Sequence, residues 1–237
     1  MSPSPLLAAA ALSLLAIVPS ASAQTAPPAA EAKVKTKTLA IVLFPRFETL
    51  DVFGPVEMWG RLDDYDIVTV SEHGGVIASA QGIDTVTDYS FEDAPQFDII
   101  MIPGGMGTRT EVNNPVMLDF LREQDEGTQY TTSVCTGSAV LAKAGILDGK
   151  KATSNKMAWA FATSQDDDVL WQPSARWVED GKYVTSSGIS AGIDMAIALI
   201  EDIEGREKAE NVAKVAEYLW NDDPADDPFA VEITETN

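Results

Sequence analysis

The only cysteine of this 237-residue chain, Cys135, stands in "TTSVCTGSAV", after a β-branched run and before a stretch of small residues. A cysteine on a strand-to-helix turn has its sulfur at the helix N-terminus. There the partial positive charge favours the thiolate and is expected to bring the thiol below its usual pKa of about 8.5. The amide of Thr136 points at the same space, as do those of Gly104 and Gly105 in the nearby "PGGMG" turn. Together these donors are expected to form an oxyanion hole. Free cysteine is also among the most buried residue types, so the local pattern leaves a catalytic thiol and a core filler both open.

A histidine partner is missing where one would be useful. Twenty residues after Cys135 the chain reads Ser154-Asn155-Lys156, and the single histidine, His73, falls in the turn-like "SEHGGV". A Cys-His dyad is therefore not expected, which weakens protease and amidotransferase readings that need an imidazole base. Asn155 is a candidate for orienting substrate or water, and Lys156 for supplying positive charge. Glu57, two residues after Pro55, is a candidate pocket residue. Arg109 is a candidate for an anionic group or for pairing with a carboxylate. Asp166-Asp167-Asp168 are three adjacent carboxylates that do not converge on one ion, and no metal site is expected. Trp159, Trp171 and Trp177 are read as core, with a pocket mouth or dimer seam as the alternative. Gly104-Gly105-Met106-Gly107 lacks the Lys-Ser/Thr of a phosphate loop, so nucleotide binding is not expected.

The elements that must hold these residues alternate. "TLAIVLF" and "FDIIMIPGG" are continuous apolar runs of strand length, as in strands buried on both faces. "YDIVTVSE" and "YTTSV" read as further strands, and "GGVIASAQGIDTVTD" as a hairpin-like excursion. "LDVFGPVEMWGRL", "NPVMLDFLREQ" and "TGSAVLAKAG" have helical spacing, the last stopped by Gly145. "KKATS" reads as a short strand and "KMAWAFAT" as a short helix. "ARWVEDGKYVTSS" reads as a hairpin turning at Asp180-Gly181. "SAGIDMAIALIEDIEG" and "REKAENVAKVAEYLW" read as amphipathic helices, followed by an acidic, proline-broken tail expected to wrap the surface or fray. This order predicts one α/β layered domain with a mainly parallel sheet. Ligands then gather at the carboxyl ends of strands, where Glu48 to Asp51, the Gly104-Gly105 turn and Cys135 all fall.

Composition narrows the function classes. The formal charge is −21, from 37 acidic and 16 basic residues, so a nucleic-acid partner is not expected. One cysteine makes no internal disulfide. Residues 1–23 read as a signal peptide: an apolar run too short for a membrane span leads to Ala21-Ser22-Ala23, with cleavage expected after Ala23. Its n-region lacks Lys and Arg, a departure from the usual pattern. Residues 24–36 read as a Pro/Ala-rich linker, 37–230 as the domain and 231–237 as a C-terminal tail. The processed protein is expected in the periplasm or secreted, with no stable membrane span.

Several segments together carry a family resemblance. "TSVCTGSAVLAKAGILDGKKATSN" resembles the cysteine elbow of the ThiJ/PfpI superfamily, the class I glutamine amidotransferase-like fold. "LDVFGPVEMWG" resembles the segment after that superfamily's first strand, and "FDIIMIPGGMGTR" its glycine-pair turn. "WVEDGKYVTSSGISAGIDMAIALI" and "DDPFA" resemble its late hairpin-helix and tail. The resemblance covers roughly residues 37 to 230, with the motifs in order. It implies a flavodoxin-like three-layer sandwich with a nucleophile elbow, commonly a homodimer. "LD-x-x-GP-x-E" and "VCTG" are similar to the isonitrile hydratase-like branch. That likeness implies a cofactor-independent enzyme acting on a small molecule, with Cys135 as nucleophile, Asp51 as proton shuttle and Thr136 polarising the bound group. A carboxyl beside a thiolate is expected to share one proton with it. The alternative is a redox or electrophile sensor, or a stress-protective protein, that uses Cys135 without turnover. Relatives in which this domain precedes a DNA-binding helix-turn-helix suggest a third, less favoured reading. The chain ends shortly after the domain, and with its charge this makes a DNA-binding regulator improbable.

Overall fold

The apolar run after Thr38 becomes the middle of the sheet. The computed structural model describes residues 35–230; the signal segment, most of the linker and residues 231–237 lie outside the described residues. The first half comprises β1 (Lys37–Val42), α1 (Thr49–Trp59), β2 (Tyr65–Ser71), β3 (Gly75–Ala78), β4 (Asp84–Thr87), β5 (Tyr89–Ser90) and β6 (Ile99–Ile102). Next come α2 (Thr108–Glu111), α3 (Pro115–Gly127), β7 (Tyr130–Ser133), α4 (Gly137–Lys143), β8 (Lys151–Ala152) and α5 (Trp159–Thr163). The chain continues with β9 (Leu170–Trp171), β10 (Trp177–Asp180), β11 (Tyr183–Ser186), α6 (Ala191–Glu204) and α7 (Arg206–Val215).

Seven strands form the main sheet in the order β10-β11-β7-β6-β1-β2-β5. Every neighbouring pair is parallel except β10 and β11, which form the expected antiparallel hairpin. Its register pairs Asp180 with Tyr183, so the two-residue loop is Gly181-Lys182, one position later than the sequence suggested. Leu39 to Val42 of β1 and Ile99 to Ile102 of β6 are fully buried, as strands covered on both faces require. The excursion after β2 is a separate antiparallel pair, β3 with β4. Helices α1, α6 and α7 pack together as one layer and α2, α3, α4 and α5 as another, which gives the flavodoxin-like sandwich. Trp59 of α1 donates its indole N–H to Ala196 O of α6 (3.0 Å), fixing α1 against its neighbour.

Two features of this frame set up the site. Pro55 lies inside α1 and lacks an N–H, so the carbonyl four residues earlier, that of Asp51, receives no helical bond from it. The loops after β1 and β6 also lie against each other, with Glu48 N–H donating to Gly104 O at 2.9 Å. The start of α1 is thereby held at the carboxyl end of β6.

Candidate active site

The elbow is built by strain and four hydrogen bonds. Cys135 has φ +57°, a left-handed conformation that a non-glycine residue adopts only when its surroundings impose it. Its N–H points between Ser186 O (3.2 Å) and Ser187 O (3.1 Å) at the end of β11. Its C=O accepts the hydroxyls of Ser138 and Ser154, each at 3.0 Å. The side chain is 5% exposed. The Thr136 amide and hydroxyl and the Asn155 side chain lie near the sulfur and favour its charged form. Asn155 Oδ1 accepts the Ala158 amide (3.0 Å), which fixes the orientation of its side-chain amide.

Asp51 sits in the first turn of α1 and is fully buried. Its Oδ2 accepts the Gly104 amide at 2.8 Å, while Oδ1 has no hydrogen-bond partner among the described residues. Burial pushes its carboxyl up to about 8, reinforced by the charge of Glu48 and opposed by the Gly104 amide and the Cys135 thiol. Gly104 is where loop and elbow meet: a Cβ there would lie 2.6 Å from Thr136 N and 2.7 Å from Cys135 Cβ. Only glycine lets the carboxyl-bearing turn approach the thiol this closely.

Three expectations change. The thiol was expected to fall below its usual pKa, but burial pushes it up, and the charge of an ionised Asp51 pushes it further. The bonds from Thr136 and Asn155 oppose this without reversing it. The resting pair is thus a neutral thiol beside a carboxyl that keeps its proton near neutrality. The expected oxyanion hole is also rearranged. The Gly104 amide is spent on Asp51, and the Gly105 amide donates to Thr136 Oγ1 (3.2 Å), leaving the Thr136 amide at the sulfur. Finally, Glu57 lies on the exposed side of α1, pairs with Arg61 at 2.6 Å and lines a separate cleft with Phe53 and Val56, apart from the cavity that holds Asn155. Six helical residues separate it from Asp51, which rotates the two onto different faces.

Other residues resolve plainly. His73 lies on the surface beside Glu72. Arg109 stacks on Phe161 at 4.2 Å and donates to Gly105 O (3.2 Å). Lys156 donates to Thr153 Oγ1 and Ala175 O, each at 2.7 Å, and faces Asp227 at 3.6 Å. Trp159 and Trp171 meet edge to face, and Trp177 is buried with its N–H on Glu179.

Sequence reasoning missed Thr108, whose buried hydroxyl lies 2.8 Å from Gly105 O and 3.1 Å from Thr136 Oγ1. It also missed the roles of Ser154, Ser187 and Gly188. A Cβ at Gly188 would fall 1.9 Å from Asn155 Nδ2, so this glycine clears the space that the amide occupies. A cavity of about 660 Å³ opens beside the elbow, lined by Leu50, Met157, Ile189 and Phe229 as well as Asn155 and Ser187. A second cleft of about 550 Å³ lies between Trp177 and Trp220, on residues other than those around Asn155.

The DJ-1/PfpI family pattern matches residues 37–202. The chain is 36% identical over 180 residues to the isonitrile hydratase of Pseudomonas putida, covering 76% of this chain and 78% of that protein. It is 30% identical over 212 residues to protein DJ-1 homolog A of Arabidopsis thaliana, covering 85% of this chain and 51% of that longer protein. A crystal structure of a ThiJ/PfpI family protein from Pseudomonas syringae superposes with a TM-score of 0.70 at 28% identity, over 88% of this chain and 84% of that one.

Proposed function

The chain belongs to the DJ-1/PfpI family, and from that premise we propose that it is a cofactor-independent enzyme hydrating small isonitriles to N-substituted formamides. The observation that carries this reading is the pair at the elbow. A buried carboxyl that holds its proton up to about pH 8, with one oxygen unpaired among the described residues, sits against a thiol on strained backbone. An isonitrile carbon needs a nucleophile and a proton at the same atom, and this pair offers both. The likeness to an isonitrile hydratase points the same way.

Cys135 sulfur bonds to the terminal carbon while Asp51 gives that carbon its proton. The thiol proton passes to the Asp51 carboxylate, leaving a thioimidate and a carboxyl again protonated. Water then adds across the C=N bond, its proton reaching nitrogen through Asp51. The C–S bond breaks, the hydroxyl proton returns to sulfur, and the formamide leaves. The Thr136 and Asn155 donors hold the sulfur where negative charge passes through it. A neutral resting pair suits a neutral substrate, because no stable thiolate has to be kept in a dry site. Incubation with cyclohexyl isonitrile and detection of N-cyclohexylformamide tests the reading; no product from wild-type protein would sink it.

The likeness to DJ-1 homologs favours a second reading, in which Cys135 is oxidised or traps electrophiles without turnover. Mass spectrometry after peroxide separates the two, since an unmodified Cys135 argues against the sensor. We also propose export with cleavage after Ala23, supported by the apolar run and the small-residue site; the mass of the processed protein tests it. A homodimer is supported by the family resemblance and by exposed Leu50 and Phe53 on α1; sedimentation tests it.

A further inference from the structure

The segment after α7 is fastened by a buried ionic cluster. Arg176 donates Nε and Nη2 to Asp194 Oδ2 at 2.8 and 2.5 Å. Asp194 Oδ1 accepts the Tyr218 hydroxyl and the Asn221 amide, both at 3.0 Å. Trp220 donates its indole N–H to Asp194 O (3.2 Å), and Arg176 N–H donates to Pro224 O (2.7 Å). The segment is therefore bound to α6 and to the start of β10, not frayed.

Asp227 carries this fastening toward the elbow. Its side chain is fully buried, with Oδ2 3.6 Å from Lys156 and Oδ1 3.9 Å from Arg176. Oδ1 also accepts the Phe229 amide at 3.0 Å. One carboxylate thus joins the cluster to the backbone of Phe229. Lys156 follows Asn155 directly, and both line the same cavity as Phe229.

That cavity adjoins the elbow. Ser187 O accepts the Cys135 amide (3.1 Å) and the Asn155 side chain lies near the Cys135 sulfur, and both residues are on its wall. The space beyond Asn155 is bordered by Leu50, Met157, Ile189 and Phe229. The cation on this wall, Lys156, is already engaged by Thr153, Ala175 and Asp227. Phe229 is 67% exposed at the rim, its ring free to border a ligand and its backbone fixed by Asp227.

We propose that Phe229, at the end of this fastened segment, is the size-selecting wall of the cavity and its specificity-determining residue, with Asp227 as the positioning residue that sets it in place. The cavity takes the apolar alkyl or aryl substituent of a neutral substrate whose reacting carbon lies at Cys135. The isonitrile part of this statement rests on the function proposed above; the wall does not.

Cys135 is the only thiol, so alkylation reports on this site alone. Rates of labelling by iodoacetamide and by N-phenylmaleimide are measured by intact mass in wild type, Phe229→Ala, Phe229→Trp and Asp227→Asn. Their ratio cancels the thiol's own ionisation. Phe229→Ala is expected to raise the phenylmaleimide-to-iodoacetamide ratio roughly tenfold and Phe229→Trp to lower it, the scale on which apolar pockets discriminate. Asp227→Asn is expected to move the ratio in the same direction as Phe229→Ala, by a smaller factor. In turnover, KM for cyclohexyl isonitrile is expected to shift in the Phe229 variants by a larger factor than KM for methyl isonitrile. A ratio within about twofold of wild type in both Phe229 variants overturns the wall. A ratio that moves in Phe229→Ala but not in Asp227→Asn overturns the positioning role. If the ratios move and wild type hydrates no isonitrile, the wall stands and the isonitrile reading fails. If wild type is active and the ratios do not move, the isonitrile reading stands and the wall fails.

Discussion

Asp51 and Asp194 are both fully buried, and they are treated in opposite ways. Asp194 receives two N–H bonds from Arg176, one from the Asn221 amide and one from the Tyr218 hydroxyl. Burial pushes its carboxyl up, and Arg176 and these donors oppose this without reversing it. Asp51 receives one amide bond, has Glu48 rather than a cation nearby, and keeps an oxygen without a partner among the described residues. A carboxyl with every lone pair engaged holds structure together. Asp51, short of partners and with no cation beside it among the described residues, holds a proton ready to move. The fold keeps both: one under the C-terminal segment, one under the thiol.

Substitution at the two sites is expected to separate activity from stability. Asp51→Asn should lower turnover about a thousandfold, within the usual range for a proton-transfer group, with the melting temperature unchanged or raised. If Asp51→Asn turns over like wild type, Asp51 is not the shuttle. Asp194→Asn should do the reverse. It leaves Arg176 buried and short of its partner, at a cost of about 3 kcal/mol in urea unfolding, with the turnover of folded protein retained. Equal stability of the two variants would dissolve the distinction.

Acidity sharpens the contrast. The Asp51 carboxyl is raised from 3.8 to about 8, so the folded protein binds a proton that the unfolded chain has released across that interval. Its contribution to stability is therefore fully present below about pH 4 and is lost as pH rises toward 8, by at most about 1.4 kcal/mol per unit. Unfolding free energies of wild type relative to Asp51→Asn should decline from pH 5 to 8, and activity should fall through the same upper limit. A flat difference would show that Asp51 is ionised at rest.

The smallest effect concerns the donor to sulfur. Asn155→Ala removes one hydrogen bond, worth about 1 kcal/mol and so a severalfold loss in turnover. Gly188→Ala should reproduce it by pushing the amide off its site. Full activity in Gly188→Ala would show that the Asn155 contact is dispensable.

Much of this architecture was legible beforehand because it depends on local periodicity and short-range spacing. The buried strands and the hairpin after Trp177 are of this kind, whereas the catalytic reading of Cys135 and the place of Asp51 beside it were implied by the family resemblance. What was not legible depends on distant chain. The thiol's upward shift comes from burial by segments fifty or more residues away in sequence, including α1 and the end of β11. The Gly104 and Gly105 amides looked free because their acceptors, Asp51 and Thr136, are supplied by other loops. Glu57 looked close to the site because it is near Asp51 in sequence, which helical rotation undoes. The fastening of Asp227 and Phe229 has no local pattern at all. Strands β5 and β9, of two residues each, are too short to carry a period.

The left-handed backbone at Cys135 has a consequence for how this sequence is kept. Glycine relaxes that conformation, which costs other residues roughly 1–2 kcal/mol. A population of variants sorted only for folding would therefore drift toward glycine at position 135 and lose the thiol. Sorting for chemistry would push the other way, so the elbow persists only while its activity is under selection. Running the two sorts on one library would show, at this position, whether the thiol's benefit lies in what it does or in how it packs.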